Sequence, residues 1–243
     1  MEIWKQIEVN DRLVLWIVIL IFILSILIPI FRKIRDRKLL KTVTSLNRGT
    51  KSERQLVLQL LKKGVPAQTI FHDLSIEKGN GKSSQIDIVV TTSEGIIVFE
   101  VKDYSGWIFG NGNHSHWTKV LAYGKKKYKF YNPIKQNKSH IQALQKQLTQ
   151  FTKVPFFSII VFYGDCELKE INFVPERTFI VKHHRIFEVL KRIKNSNNPS
   201  PYSNKNEIIR ILKQAVYNGG ILNNNQKHIK SIKEMLGKDR IYD

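Results

Sequence analysis

The sequence predicts an α/β domain, a mixed sheet flanked by helices, preceded by one transmembrane helix. Three observations carry this. Residues 13–31 (LVLWIVILIFILSILIPIF) contain no charged side chain. Beyond them, strand-like runs are interspersed with stretches of helical spacing. One of those runs, FFSIIVFY at 156–163, is apolar throughout, which reads as a strand buried on both faces.

Residues 13–31 span about 28 Å as a helix, close to a bilayer core. Only Ser25 and Pro29 interrupt the run, and it has no polar face of the kind a surface helix shows. It is too long for the core of a cleaved signal peptide, follows an acidic segment and is followed by no A-x-A site, so it reads as an uncleaved anchor. Residues 32–41 hold Arg32, Lys33, Arg35, Arg37, Lys38 and Lys41, whereas residues 1–12 hold only Lys5 and Arg12. Basic flanks stay inside. Residues 1–12 are therefore expected outside the cell membrane, with residues 32–243 in the cytoplasm. Trp4 and Trp16 are candidates for the outer interface.

The 243 residues carry a formal charge of +20, and all of the excess lies after residue 31. Such a field attracts polyanions, either nucleic acid or an anionic membrane face. Simple solubility is the plainer account. The single cysteine, Cys166, excludes an intramolecular disulfide and a cysteine-based zinc site.

In order along the chain, residues 32–47 read as a basic juxtamembrane link, 48–194 as the folded domain and 195–243 as a basic helical C-terminal extension. Thr50 with Glu53 three residues on is a capping box for a first helix. Leu56, Leu60 and Leu61 supply its apolar spacing, Gly64 its end, and Pro66 blocks continuation. Strands are expected at 69–76, 84–91 and 95–103, with KGNGK (78–82) as a loop. Residues 104–131 should form further strands or a long hairpin, punctuated by Asn132-Pro133. A helix then runs over 134–151, strands over 156–163 and 178–182, and a helix over 184–194. After a polar loop, Asn204 and Glu207 open a helix that should stop before Gly219-Gly220, and a last helix covers 226–236.

The informative stretch is Gln85-Ile86-Asp87, a short turn at 91–95, then Glu100-Val101-Lys102. Side chains alternate across a strand, so Glu100 and Lys102 share a face. A two-residue loop at Ser93-Glu94 sets Asp87 opposite Glu100, and one at Glu94-Gly95 sets it opposite Lys102; either keeps all three together, whereas a three-residue loop does not. Charged groups within apolar strands call for pairing or a metal. Two nearby carboxylates repel, and a divalent cation with a taste for oxygen ligands, Mg²⁺ or Mn²⁺, removes that cost. Lys102 beside it would orient or deprotonate an attacking water. The competing account is a structural ion pair between Glu100 and Lys102 at a sheet edge.

An Asp on one strand followed by Glu-x-Lys on the next resembles the PD-(D/E)xK nuclease superfamily. The segment from Arg48 to Leu148 further resembles the NERD (nuclease-related) domain. The matching pieces are Arg48-Gly49 with Glu53, Gln85-Ile86-Asp87, Glu100-Val101-Lys102, Gly106, Trp117 and Asn132-Pro133-x-x-Gln136. The resemblance implies a restriction-endonuclease-like core. In it Asp87, Glu100 and the Val101 carbonyl would be metal ligands and Lys102 the catalytic lysine. Glu53 would reach in from the first helix, and Gln136 would line the site. Glu53 doubles as the capping-box residue, and Gln136 as an ordinary first-turn residue. Two positions depart from the family: Ser52 stands where Gly is usual, and Ile88 follows Asp87 where His is common.

Lys125, Lys126, Lys127 and Lys129, interleaved with tyrosines, form a candidate grip on a phosphate backbone, or else a solvated hairpin tip. His114, His116, His183, His184 and Cys166 match no zinc spacing. The sequence thus points to a membrane-anchored, Mg²⁺-dependent nuclease acting on DNA or RNA at the cytoplasmic face. The alternatives are a tethered module of the same fold that binds nucleic acid or protein without cutting, and a scaffold whose charge serves anionic lipid.

Overall fold

A computed structural model describes residues 2–79, 82–121, 124–151, 153–202 and 205–235. The first helix, α1 (Glu2–Leu40), is much longer than the apolar run. The basic segment is not a separate link at its start: residues 32–40 contain neither Gly nor Pro, and the helix continues through them. Its apolar portion, from Val14 to Phe31, is exposed and is long and apolar enough to cross a membrane. At its other end Leu40 joins the core with Leu56 and Leu60, and Asp36 pairs with Lys62 at 2.6 Å.

Helix α2 (Lys51–Lys62) leads into strands β1 (Ile70–Gly79), β2 (Lys82–Thr91) and β3 (Ile96–Asp103). Next come β4 (Gly106–Asn111), β5 (His116–Leu121), β6 (Lys126–Tyr131) and α3 (Pro133–Gln147). Then β7 (Phe156–Tyr163), β8 (Cys166–Asn172), β9 (Thr178–Lys182), α4 (Ile186–Ser196) and α5 (Lys205–Met235) complete the order. The fold is mixed α/β with two mixed sheets rather than one. The larger has the order β1-β2-β3-β7-β9 and the smaller β6-β5-β4-β8. In each, antiparallel neighbours sit on one side and parallel ones on the other, β3-β7-β9 in the larger sheet and β4-β8 in the smaller.

The second sheet grows out of the first. The parallel partners β3 and β7 run on into the parallel partners β4 and β8, turning the same corner at Tyr104-Ser105 and Gly164-Asp165. Hydrogen bonds from Tyr104 to Tyr163 and from Gly106 to Asp165 carry the pairing round it. Gly106 and Gly164 take positive φ there, +83° and +68°, a conformation open to glycine.

Helices α2 and α4 cover one face of the large sheet, α3 and α5 the other. Leu56, Val57 and Leu60 pack with Ile88, Phe99, Ile159 and Ile186 on the first face. Leu74, Ile86, Val98, Leu144, Ile208 and Leu212 pack on the second. Each such side chain, fully buried, contributes roughly 1.5–3 kcal/mol. Strand β7, predicted to be buried on both faces, is buried from Phe157 to Tyr163.

Two expectations fail on α5. Gly219-Gly220 does not end it, and no separate helix begins near residue 226; one helix runs from Lys205 to Met235. Gly219 sits where a Cβ would meet the carbonyl of Asp73 on β1, so its missing side chain serves close approach and not termination. Nor is the first half of α5 an extension: Ile208, Leu212 and Ala215 belong to the core. The proposed cap, Asn204, and the centre of the KGNGK loop lie outside the described residues; β1 and β2 extend into that loop's two ends.

Candidate metal and catalytic site

Strands β2 and β3 pair only from Thr91↔Ile96 to Ile88↔Phe99. Thr92 N donates to Gly95 O at 2.9 Å, so the loop is Ser93-Glu94, the first of the two registers foreseen. One step past the ladder, Asp87 stands opposite Glu100. There the strands part, β2 staying with β1 and β3 with β7. The Val101 N–H, left without a β2 carbonyl, donates to Asp87 Oδ2 at 2.7 Å. The N–H and C=O of one residue point to the same side of a strand, so the Val101 carbonyl also faces this notch.

Glu100 and Lys102 face α3. Glu100 is 1% exposed. Lys102 Nζ donates to Glu100 Oε1 and, at 3.0 Å, to Gln136 Oε1. The other Glu100 oxygen lies 3.2 Å from His140 Nε2, and His140 Nδ1 lies 2.7 Å from Ser84 Oγ. Gln136 and His140 are one helical turn apart, so both reach the same strand. His140 was not anticipated. Its signal in the sequence was the four-residue repeat Asn132, Gln136, His140 along the helix.

Glu53 keeps its capping role at the start of α2. Thr50 Oγ1 accepts from Glu53 N at 3.3 Å and donates to Glu53 Oε1 at 2.7 Å, a variant of the capping box. The second oxygen faces His72 Nε2 at 3.3 Å, and His72 Nδ1 lies 2.8 Å from Thr44 Oγ1.

The electrostatics single out Asp87. Burial, then the charges of Glu100 and Glu53, push its carboxyl well above the usual carboxylate range; the Val101 N–H and Lys102 pull it back by less. For Lys102, burial works against the ammonium, but Glu100 and Asp87 outweigh it and raise its pKa. Burial likewise opposes the charge on Glu53, and the bonds from His72 and Thr50 outweigh it, lowering that pKa.

Among the described residues no group of three or more His, Cys, Asp or Glu side chains is placed to hold a metal ion. A cation here would rest on two carboxylates, Asp87 and Glu100, and a backbone carbonyl. That donor set suits Mg²⁺, which keeps several of its waters. The raised pKa of Asp87 fits it, because a cation would relieve the crowding of like charges. The Lys102–Glu100 pair is the other way the same charge is met.

Other residues that carried the resemblance position the site. Arg48 Nε pairs with Asp73 at 2.8 Å, and its guanidinium also donates to the carbonyls of Asp73 and Val216, tying β1 to α5. Gly49, at φ +63°, leaves room for Glu53 and His72, which a Cβ would strike. Asn132 caps α3 by accepting from Ile134 N at 2.9 Å while its amide donates to the carbonyls of Asn111, Gly112 and His114. Trp117 Nε1 donates to the Asn111 carbonyl at 3.0 Å. Together they fix the start of α3 and hence Gln136. The two departures are also absorbed: Ser52 donates to Asp103 at the end of β3, and Ile88 is fully buried under α2. Lys125, Lys126, Lys127 and Lys129 are exposed, the last three on β6 at the edge of the second sheet. The ammonium of Lys119 lies 4.9 Å and 5.6 Å from the Tyr104 and Tyr128 ring centres.

The family described as the nuclease-related domain, NERD, matches residues 48–163. An uncharacterised protein of Bacillus anthracis, pXO1-01, is 33% identical over 123 residues, covering 50% of this chain and 56% of that protein. The chain thus spans about half the length of this curated relative. No solved structure matches.

Proposed function

We propose, from the premise that residues 48–163 are a nuclease-related domain, that this protein is a membrane-anchored, Mg²⁺- or Mn²⁺-dependent phosphodiesterase acting on DNA or RNA. The observation that supports it most is the notch at the parting of β2 and β3. There Asp87 accepts from Val101 N, Lys102 donates to Glu100, and burial and neighbouring carboxylates raise the pKa of Asp87. In this reading α1 crosses the cell membrane with residues 1–12 outside, and the basic domain meets nucleic acid at the cytoplasmic face.

Asp87, Glu100 and the Val101 carbonyl would hold the cation, which when bound supplies charge stabilisation to the phosphate under attack. Lys102, kept as an ammonium by its two acidic neighbours, acts as a donor to a phosphate oxygen or to the incoming water. Gln136 fixes its direction. His140 Nε2 stands 3.2 Å from the second Glu100 oxygen, and Glu53 adds negative charge near Asp87. Hydrolysis forms one bond from water oxygen to phosphorus and breaks one to the leaving oxygen; a water proton is lost and the leaving oxygen gains one.

The Lys102–Glu100 pair supports a second reading, a module that holds nucleic acid without cutting, because it neutralises one of the two ligands internally. The full chain in detergent, offered DNA and RNA with Mg²⁺, Mn²⁺ or a chelator, separates the two. Metal-dependent cleavage lost in Asp87→Asn, and in Lys102→Met at a temperature where circular dichroism shows that variant folded, supports the enzyme. Salt-sensitive binding without cleavage under any metal supports the module and sinks the enzyme.

A further inference from the structure

On the far end of the large sheet from the notch lies a cavity of about 690 Å³ between the end of α2, the β2–β3 turn, α4 and the start of α5. Its interior is apolar, built from Val65, Val90, Ile97, Leu190, Ile193 and Ile209. Its rim carries Lys63, Lys191, Lys194 and Lys205, all exposed. The acid among the lining residues, Glu94, is buried and accepts from Ser93 Oγ at 2.7 Å. The volume is within the range of small-molecule sites, and the arrangement of apolar interior and cationic mouth suits an amphipathic anion.

The position of the cavity narrows the ligand. Lys62, the residue before Lys63, pairs with Asp36 of α1, only five residues beyond the last residue of the apolar run, Phe31. At 1.5 Å per residue that is roughly 8 Å along the helix. The Lys63 edge of the cavity therefore lies next to the place where α1 leaves its apolar stretch. A lysine at that level meets the anionic headgroups of a bilayer. Lys63 is steadied there by its position 5.7 Å from the centre of the Phe187 ring.

We propose that this cavity binds one anionic glycerophospholipid of the surrounding membrane, an acyl chain entering between α4 and the β2–β3 turn and the phosphate resting on Lys63, Lys191, Lys194 and Lys205. The site is independent of the nuclease reading. It sits on the opposite end of β2 and β3 and shares no residue with the notch.

The test uses the full-length chain purified in a mild detergent and native mass spectrometry with dioleoyl phosphatidylglycerol or dioleoyl phosphatidylcholine added. The expected result is one phosphatidylglycerol retained at least tenfold better than phosphatidylcholine. That preference should fall to near parity in Lys191→Glu/Lys194→Glu, whose exposed side chains leave the fold alone, and in Leu190→Trp, which fills the cavity. Lipid held loosely around α1 is common to all variants and cancels. Equal retention of the two lipids, or a preference unchanged in the lysine double variant, overturns the proposal. Should Leu190→Trp fail to fold, the lysine variant decides alone.

Discussion

Asp87 Oδ2 accepts the backbone N–H of Val101 at 2.7 Å, filling the place of the β2 carbonyl that the ladder would have supplied had the strands stayed together. One side chain thereby closes a gap in the sheet and carries charge into a site already holding Glu100 and Glu53. Its raised pKa means that the fold favours the protonated carboxyl. Such a group stabilises most below its unfolded pKa, and that contribution is lost as pH rises through the folded value. Asp87→Asn keeps an acceptor for Val101 and removes the charge. Metal-free Asp87→Asn should melt roughly 2–4 °C above the parent at pH 8, taking about 1 kcal/mol of relief, and the gain should vanish near pH 4. Mg²⁺ should raise the melting temperature of the parent and leave the variant unmoved. Calorimetry at the two pH values, with and without the metal, reads all three.

Lys102 is the counter-charge of a glutamate with almost no solvent. Lys102→Met leaves Glu100 facing only His140. Removing one partner of a buried pair costs about 3–5 kcal/mol, whereas replacing both is far milder. Lys102→Met should therefore be strongly destabilised, and Lys102→Met/Glu100→Gln should recover most of the loss in urea titrations. Neither variant should regain cleavage. An additive double variant would mean that the two residues are not coupled.

Asp87, Glu100 and Lys102 were legible in the sequence because they lie on two strands joined by a short turn, where alternation and loop arithmetic suffice, whereas Glu53 and Gln136 entered only through the family resemblance. The choice between the two registers was not, since it rests on Thr92 binding Gly95 through both backbone and hydroxyl. His140 was missed because it comes from a helix whose docking against β3 no local pattern fixes. The second sheet was read only as further strands or a hairpin. Its existence depends on β3 and β7 turning a corner together, a relation between residues some sixty positions apart. Arg48 and Gly49 were recognised as a motif without a role, and only packing reveals that they clear and clamp the ground beneath Glu53.

Glu53 offers a pH test of the opposite sign to Asp87. Burial disfavours its charge, yet the bonds from His72 and Thr50 prevail and lower its pKa. A depressed pKa contributes stability above the unfolded value, near 4.5, and loses it as pH falls through the folded one. His72→Leu removes the main support and leaves a buried acceptor bare, a loss of about 1–3 kcal/mol at pH 7. The same variant should differ little from the parent at pH 3.5, where the carboxyl is increasingly neutral in both. Denaturant titrations at the two pH values decide it. A loss that stays constant with pH would show that His72 matters for packing and not for the charge on Glu53.

The adjacent glycines of α5 should respond in opposite directions. A Cβ on Gly219 would collide with the Asp73 carbonyl and crowd the Arg48 guanidinium at 2.8 Å, in a place where backbone must give way. Overpacking of this kind costs typically 1–3 kcal/mol. A Cβ on Gly220 would meet Arg48 at 3.4 Å, an ordinary contact, and would bring the helix propensity of alanine. That is a gain of up to about 1 kcal/mol. Gly219→Ala should therefore lower the denaturation midpoint and Gly220→Ala raise it, with the same slope in both. Because Arg48 and Asp73 lie on the path from α5 to β1, Gly219→Ala should also weaken Mg²⁺-induced stabilisation if the displacement of β1 reaches His72 and Glu53. Two alanines of equal effect would show that α5 does not approach β1 as closely as the Gly219–Asp73 contact requires.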